Sequence, residues 1–215
     1  MKNIVIVDYH LGNLFSVKQA CDTIGINARV SSSKVDIEDA DALILPGVGA
    51  FIEAMQNLEQ LGLIDPLKKS VQQGKPLFGV CLGLQLLFTR SEEFGSGLGL
   101  DLISGTIKKF PPTSAQGSKV KVPQIAWNTI YRDTQNWQNS PLFDVPENEF
   151  MYFVHSYFVE PKDSSCVLTK TNYEGLEYCS SVLQDNIFAT QFHPEKSAEK
   201  GLAIYKNWAS NNNLI

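Results

Sequence analysis

Gly79-Val80-Cys81-Leu82-Gly83 constrains this chain more than any other segment. The apolar run at 76–80 reads as a strand leading straight into it. Leu84-Gln85-Leu86-Leu87-Phe88 reads as a helix leaving it. Strand, sharp turn and helix around one reactive side chain make a nucleophile elbow, here with cysteine at its tip. Glycines two residues to either side let neighbouring backbone approach without a Cβ clash. A thiol at a helix N-terminus meets partial positive charge, which favours the thiolate. The Leu82 N–H is placed to donate to an oxyanion.

A cysteine nucleophile needs a base, and a candidate lies far downstream. Gln191-Phe192-His193-Pro194-Glu195 ends a second strand-like run at 186–190. His193 can act as general base and acid, and Glu195 can orient the imidazole. Read as an extended segment, residues 193 and 195 point to one face. Cys81, His193 and Glu195 then form a Cys-His-Glu triad, provided the fold brings them together.

These residues resemble the triad of the class I glutamine amidotransferases. Within that family the chain is most similar to the branch that feeds ammonia to a cyclase in histidine biosynthesis. The matching segments are Asp8-Tyr9 with Gly12-Asn13, Leu45-Pro46-Gly47-Val48-Gly49-Ala50-Phe51, the elbow, Trp127-Asn128, Tyr152-Phe153-Val154-His155-Ser156-Tyr157, and 191–197. They run from the first strand almost to the last helix.

The resemblance implies a flavodoxin-like α/β fold: a mostly parallel central sheet with flanking helices and an added antiparallel region. It implies hydrolysis of glutamine to glutamate and ammonia through a Cys81 thioester. Val48 would join Leu82 in the oxyanion hole. Gly49, Gln85, Glu93, Ser156 and Tyr157 would contact glutamine. For Glu93 the plainer reading is a solvated acidic loop. The implied partner is a (β/α)8-barrel cyclase subunit, with Asn13, Trp127, Asn128, Tyr152 and Lys196 at or near the interface. No metal or organic cofactor is implied. A paralogous glutaminase serving a synthase of surface-polysaccharide sugars is the alternative. A non-catalytic scaffold and a cysteine peptidase fit the motifs less well. Two positions depart from the family pattern. Gln124-Ile125-Ala126 stands before Trp127-Asn128 where the family has His-x-Gly, and His10 stands where glycine is common. Both are expected near the partner surface.

Composition agrees with a soluble enzyme. The 215 residues fit one domain, 1–215, and the net charge of −5 argues against nucleic-acid binding. No apolar run is long enough to cross a membrane, and no signal-peptide pattern precedes the first strand, so the cytoplasm is expected. Cys21, Cys166 and Cys179 read as structural, with Cys21 in the core and the others in strands. His155 reads as a hydrogen-bonded core histidine and His10 as a loop residue.

The first half alternates strands with helices. Strands are expected at 3–8, 27–31, 42–45 and 76–80. Helices are expected from a cap at Asn13 to Gly25, around Phe51, Met55 and Leu58, and over 65–73. The second half reads as strands at 105–110, 121–130, 149–160, 166–171 and 178–193, with a turn at Asp185-Asn186. Loops are expected at 111–118 and 134–140. A last helix follows Ser197, with Leu202, Tyr205 and Trp208 facing inward.

Overall fold

The computed structural model describes residues 2–114, 117–133 and 137–215. Parts of both expected loops, 115–116 and 134–136, lie outside the described residues. The half of the fold that carries the elbow is a parallel sheet. Strands β1 (Ile4–Val7), β2 (Ala28–Ser31), β3 (Ala42–Leu45) and β4 (Leu77–Val80) run in the order 2-1-3-4. A fifth parallel strand, from late in the chain, closes this part beside β4.

Every residue of β1, β3 and β4 is buried, as a parallel sheet covered on both faces requires. Alternation divides them between two cores. Ile4 and Ile6 face one, Val5 and Val7 the other. The helices are α1 (Leu14–Thr23), α2 (Lys34–Asp39), α3 (Phe51–Gln60), α4 (Ile64–Gln72), α5 (Leu82–Leu86) and α6 (Ala198–Asn211). Helices α1 and α6 cover the first core, and α2 to α5 cover the second. Asn13 caps α1 by accepting from the Ser16 N–H at 3.1 Å, as its residue type predicts. In α6, Tyr205 and Trp208 are buried and Leu202 lies partly buried against the same core. Phe78 of β4 packs on Phe188, Tyr205 and Trp208 with ring centroids 4.8, 4.8 and 5.5 Å apart. That aromatic stack holds the elbow strand against the last helix.

The remaining strands are β5 (Phe88–Ser91), β6 (Gly97–Leu98), β7 (Ile103–Lys109), β8 (Gln124–Arg132), β9 (Glu149–His155), β10 (Tyr157–Pro161), β11 (Val167–Tyr173), β12 (Leu176–Gln184) and β13 (Ile187–Thr190). β13 lies parallel to β4, and β12 turns back antiparallel beside it. From β12 the sheet extends through β10, β7, β5 and β6, while β11, β8 and β9 branch from its other edge. This is the expected α/β fold, a parallel central sheet with an antiparallel addition.

Several expectations need correction. The helix after Cys81 stops at Leu86, and Phe88 opens a strand. All five residues of α5 are buried, so the apolar run carries no polar face to set its period. The stretch 149–160 is two strands broken at Ser156. Cys166 ends a 3-10 turn at Ser164–Cys166 and does not lie in a strand. The described part of the second expected loop is only partly exposed: Gln138 and Asn139 face solvent, but both ends turn inward. Trp137 and Ser140 are buried, and the Trp137 indole N–H donates to the Leu168 carbonyl at 3.0 Å.

Candidate active site

Cys81 sits between β4 and α5 with φ 54° and ψ −107°, a conformation that costs a non-glycine residue energy. The surroundings fix it there. The Cys81 N–H donates to the Thr190 carbonyl at 2.7 Å, tying the elbow to the end of β13. A Cβ on Gly83 would lie 1.8 Å from the Leu45 carbonyl oxygen, so only glycine lets α5 approach β3 this closely.

The end of β13 also delivers His193. The expected extended segment is instead a 3-10 turn, Pro194–Lys196, with His193 at its start. The two side chains still meet, because the turn folds Glu195 back on the ring. His193 Nδ1 donates to Glu195 Oε1 at 2.7 Å, and both side chains are almost fully buried. The turn is pinned to β9. The His193 N–H donates to the Tyr152 carbonyl at 2.9 Å, the Ser197 hydroxyl donates to the His193 carbonyl at 2.7 Å, and the Tyr152 N–H donates to Ser197 Oγ at 3.0 Å.

With Nδ1 engaged, Nε2 is buried and has no hydrogen-bond partner among the described residues. Burial alone would lower the His193 pKa. The neighbouring Cys81, with Glu195 on the other side, outweighs it and holds His193 up to about 10. Cys81 thus has a strongly basic imidazole beside it. The other cysteines lack such a partner. Burial pushes Cys21 up to about 12, Cys166 to about 11 and Cys179 well above the ordinary thiol range. They remain thiols.

Cys81 opens into a cleft of about 420 Å³, the size of a small-molecule site. Val48, Gly49, Leu82, Gln85, Glu93, Ser156 and Tyr157, all expected at the site, line it. Tyr152 and Lys196 form its rim. Glu93 is not in a solvated loop: it is 9% exposed, and its Oε2 accepts from the Phe51 N–H at 2.6 Å, at the start of α3. Of the residues expected at a partner surface, three gather. Trp127 is half exposed and meets Tyr152 edge-on at 6.1 Å, and the Lys196 ammonium lies 5.7 Å over the Tyr152 ring. Asn128 does not join them. It follows Trp127 on β8 and therefore faces the other way, donating to the Asn172 carbonyl at 2.9 Å. Asn13 caps α1, which packs against the 194–196 turn.

The two departures from the family pattern separate in space. His10 is exposed, with φ 68°. Gln124, expected near the surface, is fully buried, and its Oε1 accepts from the Tyr178 hydroxyl at 3.0 Å. Its neighbour Ile125 faces outward and is 61% exposed. Alternation along β8 accounts for both.

The two groups expected to donate to an oxyanion, the Leu82 and Val48 N–H, do not point together. The Leu82 N–H donates to the Gly47 carbonyl at 3.3 Å. A trans peptide points its C=O and N–H in opposite directions, so the Val48 N–H is turned away from Leu82. Tyr9 supports this loop from below, its hydroxyl donating to the Pro46 carbonyl at 2.7 Å. A Cβ on Gly47 would lie 2.1 Å from that hydroxyl. Neither Tyr9 nor the Gly47 carbonyl was among the expected site groups, because nothing local in the sequence shows which way a glycine-flanked peptide faces.

The family model for class-I glutamine amidotransferases matches residues 5–211. The chain belongs to this family. Among curated relatives, the imidazole glycerol phosphate synthase subunit HisH of Syntrophotalea carbinolica is 46% identical over 207 residues, covering 95% of this chain and 98% of the relative. The protein of the same name from Aquifex aeolicus is 44% identical, with 95% and 94% covered. Among solved structures, PurLQS from Thermotoga maritima matches with TM-score 0.70 and 18% identity over 98% of this chain and 99% of that one. A crystal structure of a glutamine amidotransferase gives TM-score 0.69 and 19% identity over 97% and 98%. These two likenesses concern the fold.

Proposed function

We propose that Cys81, His193 and Glu195 are the catalytic triad of a glutaminase that works in complex with a cyclase. The chain is the glutaminase subunit of imidazole glycerol phosphate synthase and releases ammonia from glutamine for histidine biosynthesis. The observation that carries this assignment is identity of 39–46% along nearly the whole chain to subunits of that name. What supports the triad is the buried Nδ1–Glu195 bond and a His193 proton held by its coupling to Cys81.

In the proposed reaction the Cys81 thiolate attacks the side-chain amide carbon of glutamine, forming an S–C bond and an oxyanion. His193, already protonated, gives its proton to the amide nitrogen as the C–N bond breaks and ammonia leaves. Neutral His193 then takes a proton from water. The hydroxide adds to the thioester, the S–C bond breaks, and glutamate departs from regenerated thiolate. Glu195 keeps the proton-transferring Nε2 aimed at the reaction throughout.

Leu82 and Val48 are the proposed oxyanion donors, and Gly49, Gln85, Glu93, Ser156 and Tyr157 the proposed glutamine contacts. In the resting chain the Gly47 carbonyl occupies the Leu82 N–H that an oxyanion requires. We therefore infer slow turnover by the isolated chain and rotation of the Gly47–Val48 peptide on activation. The partner is proposed to be a (β/α)8-barrel cyclase seated at the rim made by Trp127, Tyr152 and Lys196, with Asn13 nearby. The reading takes residues 1–215 as one cytoplasmic domain that acts without cofactor, nucleic acid or membrane. No helix among the described residues is long and apolar enough to cross a membrane.

Glutamate release measured alone, then with a histidine-pathway cyclase and its nucleotide ligand, tests the proposal. Strong stimulation is expected. Cys81-dependent but unstimulated turnover would move the partner to a paralogous synthase.

A further inference from the structure

Gln191 belongs to the Gln191–Glu195 motif, yet the proposed chemistry leaves it without a role. It follows β13, is fully buried, and its Nε2 points at Cys81 Sγ at 3.7 Å. A neutral thiol is a weak acceptor and a thiolate a strong one, so an amide N–H buried against sulfur matters chiefly for the charged form.

The direction of this amide is set by a chain of buried groups. It begins at the Tyr157 carbonyl, which can only accept. His155 Nδ1 donates to it at 2.8 Å, and Gln85 Nε2 donates to it at 3.0 Å. Gln85 is thereby fixed with its NH₂ inward. The same NH₂ donates to Gln191 Oε1 at 3.0 Å. With its oxygen claimed, Gln191 can offer sulfur only its N–H. At the far side, His155 Nε2 lies 3.2 Å from the Tyr178 hydroxyl, which also bonds Gln124. Burial pushes His155 down to about 4, with the Tyr157 carbonyl opposing that shift and His193 adding to it. His155 is therefore neutral, with one ring N–H committed to Tyr157.

We propose that Gln191 is a further catalytic residue, donating a hydrogen bond to the Cys81 thiolate, and that Gln85 and His155 are positioning residues that fix its orientation. The inference rests on Cys81 being the nucleophile. The bond favours thiolate over thiol and so raises the fraction of Cys81 able to attack before the S–C bond forms. It stabilises the same thiolate as leaving group when the thioester is hydrolysed, so both halves of the reaction use it.

The test is the rate at which iodoacetamide alkylates Cys81 at neutral pH without glutamine, followed by mass of the Cys81 peptide. Gln191→Leu is expected to slow it about tenfold, the scale of one hydrogen bond to a charged group, and to weaken the ultraviolet thiolate band. Gln191→Asn keeps the site polar but withdraws the donor, and serves if the leucine variant does not fold. Gln85→Leu, which leaves Gln191 in place, is expected to slow alkylation by a smaller factor. In turnover kcat should fall in the Gln191 variants while KM stays within about twofold. Wild-type alkylation rates and an unchanged thiolate band in a folded Gln191 variant would overturn the proposal. Glutamate release by Cys81→Ala would instead overturn the glutaminase chemistry itself, so the two failures are distinguishable.

Discussion

Acid should weaken this fold through one buried ring, and the size of the effect follows from the structure. His155 is buried among Phe110, Phe153 and Tyr178, and burial holds its pKa down at about 4. In the unfolded chain the ring titrates near 6.5. Below about 6.5 the unfolded chain binds a proton that the folded chain refuses, so stability falls as pH drops from there toward 4. Each pH unit in that window removes about 1.4 kcal/mol, hence about 2 kcal/mol between pH 6.5 and 5. His193 has the opposite sign. Its pKa is raised to about 10, so its stabilisation is complete below 6.5 and is lost progressively as pH rises from there through 10. The carboxylates whose pKa values are lowered, Asp36, Asp41 and Asp163, lose their contribution below the ordinary carboxylate range and stay outside the window. Urea unfolding of wild type and His155→Gln at pH 7 and 5 reads the difference. Wild type should lose about 2 kcal/mol more than the variant. Parallel losses in the two proteins would refute the assignment of the acid limb to His155.

Two further outcomes follow. Glu195→Gln removes the charge 2.7 Å from His193 Nδ1 and puts there an amide that can donate as well as accept, so the tautomer is no longer fixed; kcat should fall by about 100-fold or more with KM little changed, as steady-state kinetics would show. Gly83→Ala places a methyl 1.8 Å from the Leu45 carbonyl, a backbone atom that cannot turn aside; thermal or urea unfolding should show a loss of about 1–3 kcal/mol or more, with activity lost as the elbow shifts.

The parallel half was legible because breakers punctuate it. Pro46-Gly47 stops β3, and Gly74, with φ 83°, closes α4 before β4. Helix α2 was missed. It has six residues and one buried side chain, Ile37, too few to display a period. Strands β5 and β6 were hidden by the apolar run that continues through α5 without a polar face. At the site, Cys81, His193 and Glu195 were readable from residue types alone, although the backbone between the last two is a turn. The Gly47 carbonyl on Leu82 was not readable, since peptide orientation leaves no mark in side-chain identity. Gln191 could have been singled out as a polar residue ending an apolar strand, but its partner depends on which strand lies beside β13. The inward face of Gln124 followed from alternation along β8 once the register with β9 was known.

The proposed chemistry turns on Cys81 as the nucleophile of a glutaminase. Glutamate release from glutamine by Cys81→Ala, in the complex with the cyclase and its nucleotide ligand, tests it most directly. No release above background is expected from a variant whose circular dichroism and unfolding match wild type. Turnover in that variant at a rate near wild type would contradict it.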